Sequence, residues 1–415
     1  TGHRAAVNSP QPPTRRRLRA ASFGHPSRDH RPSSRPETNF GSPGWTEADR
    51  LEPHPSRHSR RSKHPTLMET RGGNSGREIQ VQPQDMASAN QPPDSRRDVG
   101  YMRRAIELAQ LGEGDVEPNP MVGCVLVRDG EIIGEGFHQR FGGAHAEIEA
   151  IRSVARGDAS GATAYVSLEP CCHHGKTPPC SEALIRAGIT RVVVALTDPF
   201  SKVAGGGLKQ LRDAGVEVTS GVLEDEAAVT CAPYLKLLRT GKPWVIAKWA
   251  MTMDGRIATT AGESQWITGE AARADVHHLR SRVDGIAVGM GTVITDDPML
   301  NARSSDPSAS PARIATRLVF CRHRLPPENS RLVTTASQIP LTLVIGRDLL
   351  SRGEARQQLD RLRILGANVI ETNTDDEVQM VRAALLQMGA LRMTNVMVEG
   401  GGELIASFFS AGQID

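Results

Sequence analysis

The sequence predicts an α/β protein made of two folded units behind a basic tail. Three observations predict it. From Tyr101 onward, apolar runs that read as strands alternate with runs that read as helices, the order of a three-layer α/β/α sandwich. A break at Thr240-Gly241-Lys242-Pro243 divides that alternation in two. Residues 1–99 show neither helical nor strand periodicity and hold 13 of the 27 prolines.

The tail also accounts for the charge. The net charge of +3 conceals seventeen Lys/Arg against ten Asp/Glu in the first hundred residues, and thirty-three against thirty-seven in the rest. Arg15-Arg16-Arg17 and Arg57-His58-Ser59-Arg60-Arg61 typify it. Such a segment buries too little apolar area to offset an ordering cost of roughly 1–2 kcal/mol per residue, so it is expected to be disordered. Three readings compete with an inert tail: a nucleic-acid-binding arm, an organelle transit peptide, or a stretch outside the mature protein, since Met68 and Met86 are later candidate starts. No run of about 18 apolar residues exists to span a membrane. There is no secretory signal pattern, and six unevenly spaced cysteines do not make a disulfide scaffold. The expected location is cytoplasmic, or an organelle if the tail is a transit peptide.

In the first unit, residues 100–240, Met102, Ala105, Ile106, Leu108 and Ala109 mark one helical face. Met121–Val127 reads as a buried strand, Arg128-Asp129-Gly130 as a turn and Glu131–Phe137 as the hairpin partner. A helix is expected from about His145 to Arg156. Strands follow at Ala164–Leu168, Arg191–Leu196 and Val216–Thr219. Helices at Ser181–Ala187 and Leu208–Ala214 are each stopped by a glycine. Glu224–Arg239 reads as one helix despite Pro233.

In the second unit, residues 241–415, strands are expected at Trp244–Met251, Gly285–Val288, Arg317–Phe320, Leu341–Ile345 and Asn395–Val398. Val276–Arg282, Ala355–Leu365 and Glu377–Met388 read as helices. The last strand runs into Glu399-Gly400-Gly401-Gly402-Glu403-Leu404 and a further helix. Strand, glycine run and helix together suit a phosphate, because glycines let backbone N–H groups approach an anion at a helix N-terminus. Gly205-Gly206-Gly207 reads only as a loop before a helix.

Two helix starts carry the chemistry of the first unit: His145-Ala146-Glu147, and the run from Pro170-Cys171-Cys172-His173-His174-Gly175 through Lys176-Thr177-Pro178-Pro179-Cys180. One imidazole and two thiolates make a three-ligand zinc site with the fourth position open, which a catalytic zinc needs to acidify a water. Glu147 then stands where it could carry protons to a leaving amine. A helix N-terminus favours deprotonated cysteine. A structural zinc, taking His173, His174 or Cys172 as fourth ligand, is the competing reading. Cys124, Cys231 and Cys321 read as small core residues, and His277-His278 as a surface pair.

The motif departs from the Cys-x-x-Cys of nucleobase deaminases, since eight residues separate Cys171 from Cys180. With its enclosed His-His-Gly-Lys-Thr-Pro-Pro it resembles the deaminase half of the bifunctional riboflavin-biosynthesis deaminase/reductase family. Pro118-Asn119-Pro120-Met121-Val122-Gly123, Ser167-Leu168-Glu169-Pro170, and Asp198-Pro199 followed by Val203-Ala204-Gly205 match that family too. Lys248-Trp249-Ala250-Met251-Thr252-Met253-Asp254-Gly255-Arg256, Gly262-Glu263-Ser264-Gln265-Trp266-Ile267-Thr268 and Gly291-Thr292-Val293-Ile294-Thr295-Asp296-Asp297-Pro298 look like its reductase half. The resemblance runs almost continuously from Tyr101 to the end.

It implies a cytidine-deaminase-like three-layer α/β/α domain followed by a dihydrofolate-reductase-like α/β domain. His145, Cys171 and Cys180 would bind one Zn²⁺, and Glu147 would be the proton donor and acceptor. Asn119, His173 and Lys176 would contact the substrate. NADPH would be lined by Ala250, Trp266, Thr292, Asp296, Gly401, Gly402, Glu403, Leu404, Ile405, Ala406 and Ser407. Ser264, Arg280, Leu300, Arg303 and Glu399 would line the second substrate site, with the two arginines on a phosphate. The implied partner is a small phosphorylated pyrimidine, with no nucleic acid and no membrane, acted on by a homo-oligomer. The activities implied are hydrolytic deamination of a 2,5-diamino-6-(phosphoribosylamino)pyrimidinone and NADPH-dependent reduction of its ribosyl group to ribityl.

Two departures stand out. Cys172 occupies a position where the family commonly has Ser. The family's reductase half also continues beyond the point where Asp415 ends this one, so the second domain is expected to be C-terminally incomplete. The alternatives are a deaminase with a non-functional reductase half, a nucleic-acid deaminase gripping RNA with its tail, and a metal-stabilised scaffold without turnover.

Overall fold

The computed structural model describes residues 93–173, 178–200, 203–303 and 313–415. The chain forms α1 (Pro93–Gln110), β1 (Gly123–Arg128), β2 (Glu131–Phe137), α2 (Ala146–Ser153), β3 (Thr163–Leu168), α3 (Cys180–Arg186), β4 (Arg191–Leu196), α4 (Gly206–Asp213), β5 (Glu217–Ser220), α5 (Glu224–Thr230) and α6 (Ala232–Thr240). The strands make one sheet in the order β2-β1-β3-β4-β5. β1 runs antiparallel to β2 and β3, while β3, β4 and β5 are parallel.

Strand periodicity explains the layers. Cys124, Leu126, Ala164, Val166, Val192 and Val194 point to one face, where Ala146, Ala150, Leu184, Leu208 and Leu211 cover them from α2, α3 and α4. Val125, Val127, Tyr165, Val193 and Ala195 point to the other, under Met102, Ala105 and Ile106 of α1, Ala227 of α5 and Leu235 of α6. Both faces are apolar, so both need helices, and the expected three-layer sandwich results. Two glycines set the spacing. A Cβ on Gly123 would lie 1.9 Å from the Ala105 carbonyl oxygen of α1, and one on Gly136 would lie 2.2 Å from the Ala150 nitrogen of α2.

Two expectations are corrected. Residues 1–92 lie outside the described residues, but α1 begins at Pro93, inside the expected tail. Asp98 explains why: its carboxylate accepts from Arg191 Nη1 and Nη2 at 2.9 and 2.7 Å and from the Tyr165 hydroxyl at 2.7 Å. Partners far along the chain, invisible to periodicity, fix that turn. The helix expected over Glu224–Arg239 is two helices with Cys231 between them. Pro233 sits in the first turn of α6, where its missing N–H costs nothing.

The second domain contains β6 (Trp244–Lys248), α7 (Glu270–Arg280), β7 (Gly285–Gly289), α8 (Met290–Asp296), β8 (Thr316–Cys321), α9 (Arg331–Thr334), β9 (Leu341–Ile345), α10 (Arg347–Ser351), α11 (Gly353–Ile364), β10 (Ala367–Glu371), α12 (Glu377–Ala390), β11 (Asn395–Glu399) and α13 (Gly402–Ser410). Six parallel strands run in the order β10-β9-β8-β7-β11-β6. Ile286, Val288, Val319, Leu341 and Leu343 pack under Leu332, Leu359 and Leu362 on one face. Ala287, Leu318, Phe320, Val344 and Val398 pack under Val381, Ala384, Leu385, Leu404 and Phe408 on the other. A parallel sheet buried on both sides reads as unbroken apolar runs, as these strands do. The strand expected to reach Met251 stops at Lys248.

Buried polar groups complete this domain. Asp284 accepts from the backbone N–H groups of Thr394 and Asn395 and from the Thr394 hydroxyl, at 2.7 to 3.0 Å, and so ties the start of β7 to the start of β11. Arg317 of β8 is fully buried and donates to Thr335 Oγ1 and the Ile339 carbonyl; burial pushes its pKa down to about 10. Among the described residues, no helix is long and apolar enough to cross a membrane.

Candidate functional site

The first site lies beyond the C-terminal ends of the parallel strands, where open α/β sheets place ligands. His145 precedes α2 and Cys180 opens α3, while Cys171 follows β3 by three residues. Their ligand atoms lie within 4.8 Å of one another. His145 Nδ1 is 3.6 Å from Cys171 Sγ and 3.3 Å from Cys180 Sγ. The hydrogen bond from Cys180, and then His145, hold the Cys171 thiol well below its ordinary value. The imidazole rises to about 9 beside the Cys171 sulfur. Soft thiolates plus an imidazole are a fitting donor set for zinc. Among the described residues no fourth His, Cys, Asp or Glu joins the cluster, and His174 lies outside them. Glu147, 3% exposed, sits on the first turn of α2; burial pushes its carboxyl up.

The loop carrying Cys171 is anchored by a residue to which the sequence assigns no role. Glu169 accepts from the backbone N–H groups of Asp198, Gly205, Gly207 and Leu208 at 2.9 to 3.2 Å. The Gly205–Gly207 run at the start of α4 therefore cradles an anion after all, but it is the protein's own carboxylate. A Cβ on Gly207 would fall 2.0 Å from the Pro170 carbonyl oxygen. An acidic residue before Pro170 and a distant glycine run are the only signals, and nothing in the sequence pairs them.

Asn119 and His138 form a second support. His138 Nδ1 lies 2.9 Å from the Ala144 carbonyl, which only accepts, so Nδ1 carries the proton. Nε2 then accepts from Asn119 Nδ2 at 3.1 Å. Burial pushes the His138 pKa down, consistent with a neutral ring. Its ring meets that of His145 edge-on at 5.4 Å. His173 packs edge-on against Phe200 at 6.2 Å, and Asp198 nearby accepts from the Tyr234 hydroxyl at 3.0 Å. Lys176 and His174 lie outside the described residues. Cys172 does not join the cluster; its sulfur faces Gly206, and burial raises its pKa. Cys124, Cys231 and Cys321 are buried, as expected of core residues.

The second site is a cleft of about 1840 Å³. Ala250, Trp266, Thr292, Asp296, Gly401, Gly402, Glu403, Leu404, Ile405 and Ser407 line it, as do Ser264, Arg280, Leu300, Arg303 and Glu399. Ala406 is the exception among the expected residues; it is exposed on another face of α13. Gly400, at φ +86°, turns the chain from β11 toward α13, and Gly401 N–H donates to Thr292 Oγ1 at 3.0 Å. Arg280 is not free to act as half of an open guanidinium pair: its Nη2 sits 2.8 Å from Glu399 Oε1, and both are largely buried. Arg303 stands exposed. His277, half-buried, and His278, exposed, both line the cleft from α7. Arg273 stacks over the Trp266 ring at 4.5 Å.

A cytidine-deaminase-like zinc domain followed by a reductase domain is the class this architecture defines. Residues 95–196 match the cytidine and deoxycytidylate deaminase zinc-binding region, and residues 243–415 match the RibD C-terminal domain. The chain is 42% identical over 318 residues to riboflavin biosynthesis protein RibD of Actinobacillus pleuropneumoniae, covering 77% of this chain and 81% of that one. It is 39% identical to the Escherichia coli K12 protein, covering 77% and 86%. Among solved structures, RibD of Acinetobacter baumannii superposes with a TM-score of 0.67 at 38% identity, covering 77% of this chain and 85% of that one. A deaminase/reductase from Thermotoga maritima gives 0.64 at 35%, covering 76% and 84%. The chain belongs to the RibD family of bifunctional riboflavin-biosynthesis enzymes.

Proposed function

We propose that the chain carries out two successive reactions on one phosphorylated pyrimidine: hydrolytic deamination of 2,5-diamino-6-(5-phosphoribosylamino)pyrimidin-4(3H)-one, then NADPH-dependent reduction of the ribosyl group to ribityl. The observation that carries the first is the convergence of His145, Cys171 and Cys180 with buried Glu147 beside them. His145, Cys171 and Cys180 would hold a zinc ion, which would supply Lewis-acid activation of a water at neutral pH. Glu147 takes a proton from the attacking water and delivers it to the departing ammonia. Asn119 and His173, with Lys176 by family resemblance, complete the substrate contacts.

The cleft of the second domain supports the reductive step. The N-terminus of α13, from Gly402 onward, would offer backbone donors to the cofactor's phosphates, and Thr292 holds the turn before it by accepting from Gly401 N–H. NADPH bound in this cleft would supply the hydride. Arg303, exposed in the cleft, draws the substrate phosphate, while Arg280 stays paired with Glu399. That all but one of the expected reductase residues line a single cleft argues against a deaminase with an inert second half.

The test is Glu147→Gln. The variant should keep its zinc by elemental analysis while ammonia release from the diaminopyrimidine falls on the order of 100-fold or more. Ammonia release at the parent rate would overturn the assigned role.

A further inference from the structure

The deaminase site is braced from the other domain. Arg313, which lies shortly before β8 of the reductase domain, donates from Nη2 to the backbone carbonyl of Glu117 at 3.0 Å. The same nitrogen faces the Glu117 carboxylate at 3.7 Å, and that Oε2 is buried with no hydrogen-bond partner of its own. Arg313 Nη1 pairs with Asp284, the residue that clamps the start of β7 to the start of β11. All three side chains are less than a fifth exposed. A second contact holds the same loop: Arg282 pairs with Glu113, and Gly114 lies against the Arg282 side chain. Glu117 Oε1 accepts from Gly114 N–H at 3.2 Å, so the two contacts grip one unit.

This loop ends at Asn119, which the preceding reading makes a substrate contact. Asn119 N–H donates to the Val116 carbonyl, and its side chain is aligned by His138. A continuous series of bonds thus runs from the reductase sheet through Asp284, Arg313 and Glu117 to the amide that meets the pyrimidine. A mostly buried guanidinium sharing two carboxylates and a carbonyl is costly to assemble and geometrically demanding. We propose that Arg313 is a positioning residue for deamination: the reductase domain holds the Asn119 loop in its substrate-binding geometry, so the deaminase site is complete only in the fused chain.

The inference rests on the deaminase reading, and the experiment separates the two. Full-length, zinc-loaded parent, Arg313→Ala and Arg313→Lys are assayed for ammonia release from the diaminopyrimidine. The same samples are assayed for NADPH oxidation with the deaminated uracil supplied directly. Hydrogen exchange of residues 111–119 is followed in parallel. Arg313→Ala should raise the deamination KM about tenfold, with kcat within about threefold and zinc content unchanged. Exchange of the loop should quicken. NADPH oxidation should keep most of its rate, because Asp284 retains its bonds to Thr394 and Asn395. Arg313→Lys should recover part of the KM. An unchanged deamination KM in Arg313→Ala, or equal losses in both reactions, would overturn the proposal. A parent that releases no ammonia would instead overturn the deaminase reading itself.

Discussion

At the scale of single residues, the first site depends on one carboxylate whose partners are backbone N–H groups. Glu169 gathers four backbone N–H groups from the segment 198–208 and stands two positions before the Cys171 ligand. Hydrogen bonds to a charged acceptor contribute about 1.5–3 kcal/mol each when a partner is removed. Glu169→Gln keeps the shape but loses the charge and one acceptor oxygen. It should lower the unfolding free energy by about 2–4 kcal/mol in urea titrations and weaken zinc retention against a chelator. A variant as stable as the parent would mean that the cradle is solvated instead. That His145, Cys171 and Cys180 come together was legible, because His-x-Glu and a proline-flanked cysteine are local patterns. Glu169, His138 and Asp284 were not, because their partners are backbone groups whose positions only the fold determines.

At the scale of elements, strands are more legible than helix boundaries. Alternating or unbroken apolar runs such as Arg191–Leu196 carry their own signature, and β4 spans that range. The start of α1 carries none, since Asp98 is fixed by Arg191 of β4 and Tyr165 of β3. The Arg191 guanidinium holds the Asp98 carboxyl below its ordinary value, against the opposing effect of burial. A carboxylate whose folded pKa is depressed adds stability that is fully present above its unfolded pKa, about 3.9, and is lost as pH falls through the lower folded value. Asp98→Asn should therefore cost about 1–3 kcal/mol at pH 7, and the gap between parent and variant should close below about pH 4. Denaturant titrations at pH 7, 5 and 3.5 check this; a gap independent of pH would show that the charge contributes nothing. The break between α5 and α6 teaches a related point: Pro233 marks a helix start where periodicity alone suggests one continuous helix.

At the scale of the whole molecule, two chemistries share one chain but not one metal. The His145, Cys171 and Cys180 cluster comes from the first domain and the cleft residues from the second. Stripping zinc with a chelator should abolish ammonia release while NADPH oxidation, with the uracil supplied, persists at near its starting rate. Loss of both together would mean that the metal also holds the second domain in shape. The two-domain plan was legible from the break at residues 240–243 and the change of motif across it. The bracing between domains was not. No local pattern pairs Arg282 with Glu113, because the two lie far apart in the chain and meet only once both domains are folded.

The strand order of the second sheet also bears on synthesis. β6 is the first strand of its domain to leave the ribosome, yet its ladder partner is β11, which emerges only after four other strands. The deaminase sheet can close as soon as β5 has been made, whereas Trp244–Lys248 must wait, unpaired and apolar, until Asn395–Glu399 emerges. Translation that stalls between those points would leave a nascent protein with a finished first half and a naked β-edge, the species a chaperone would be expected to meet.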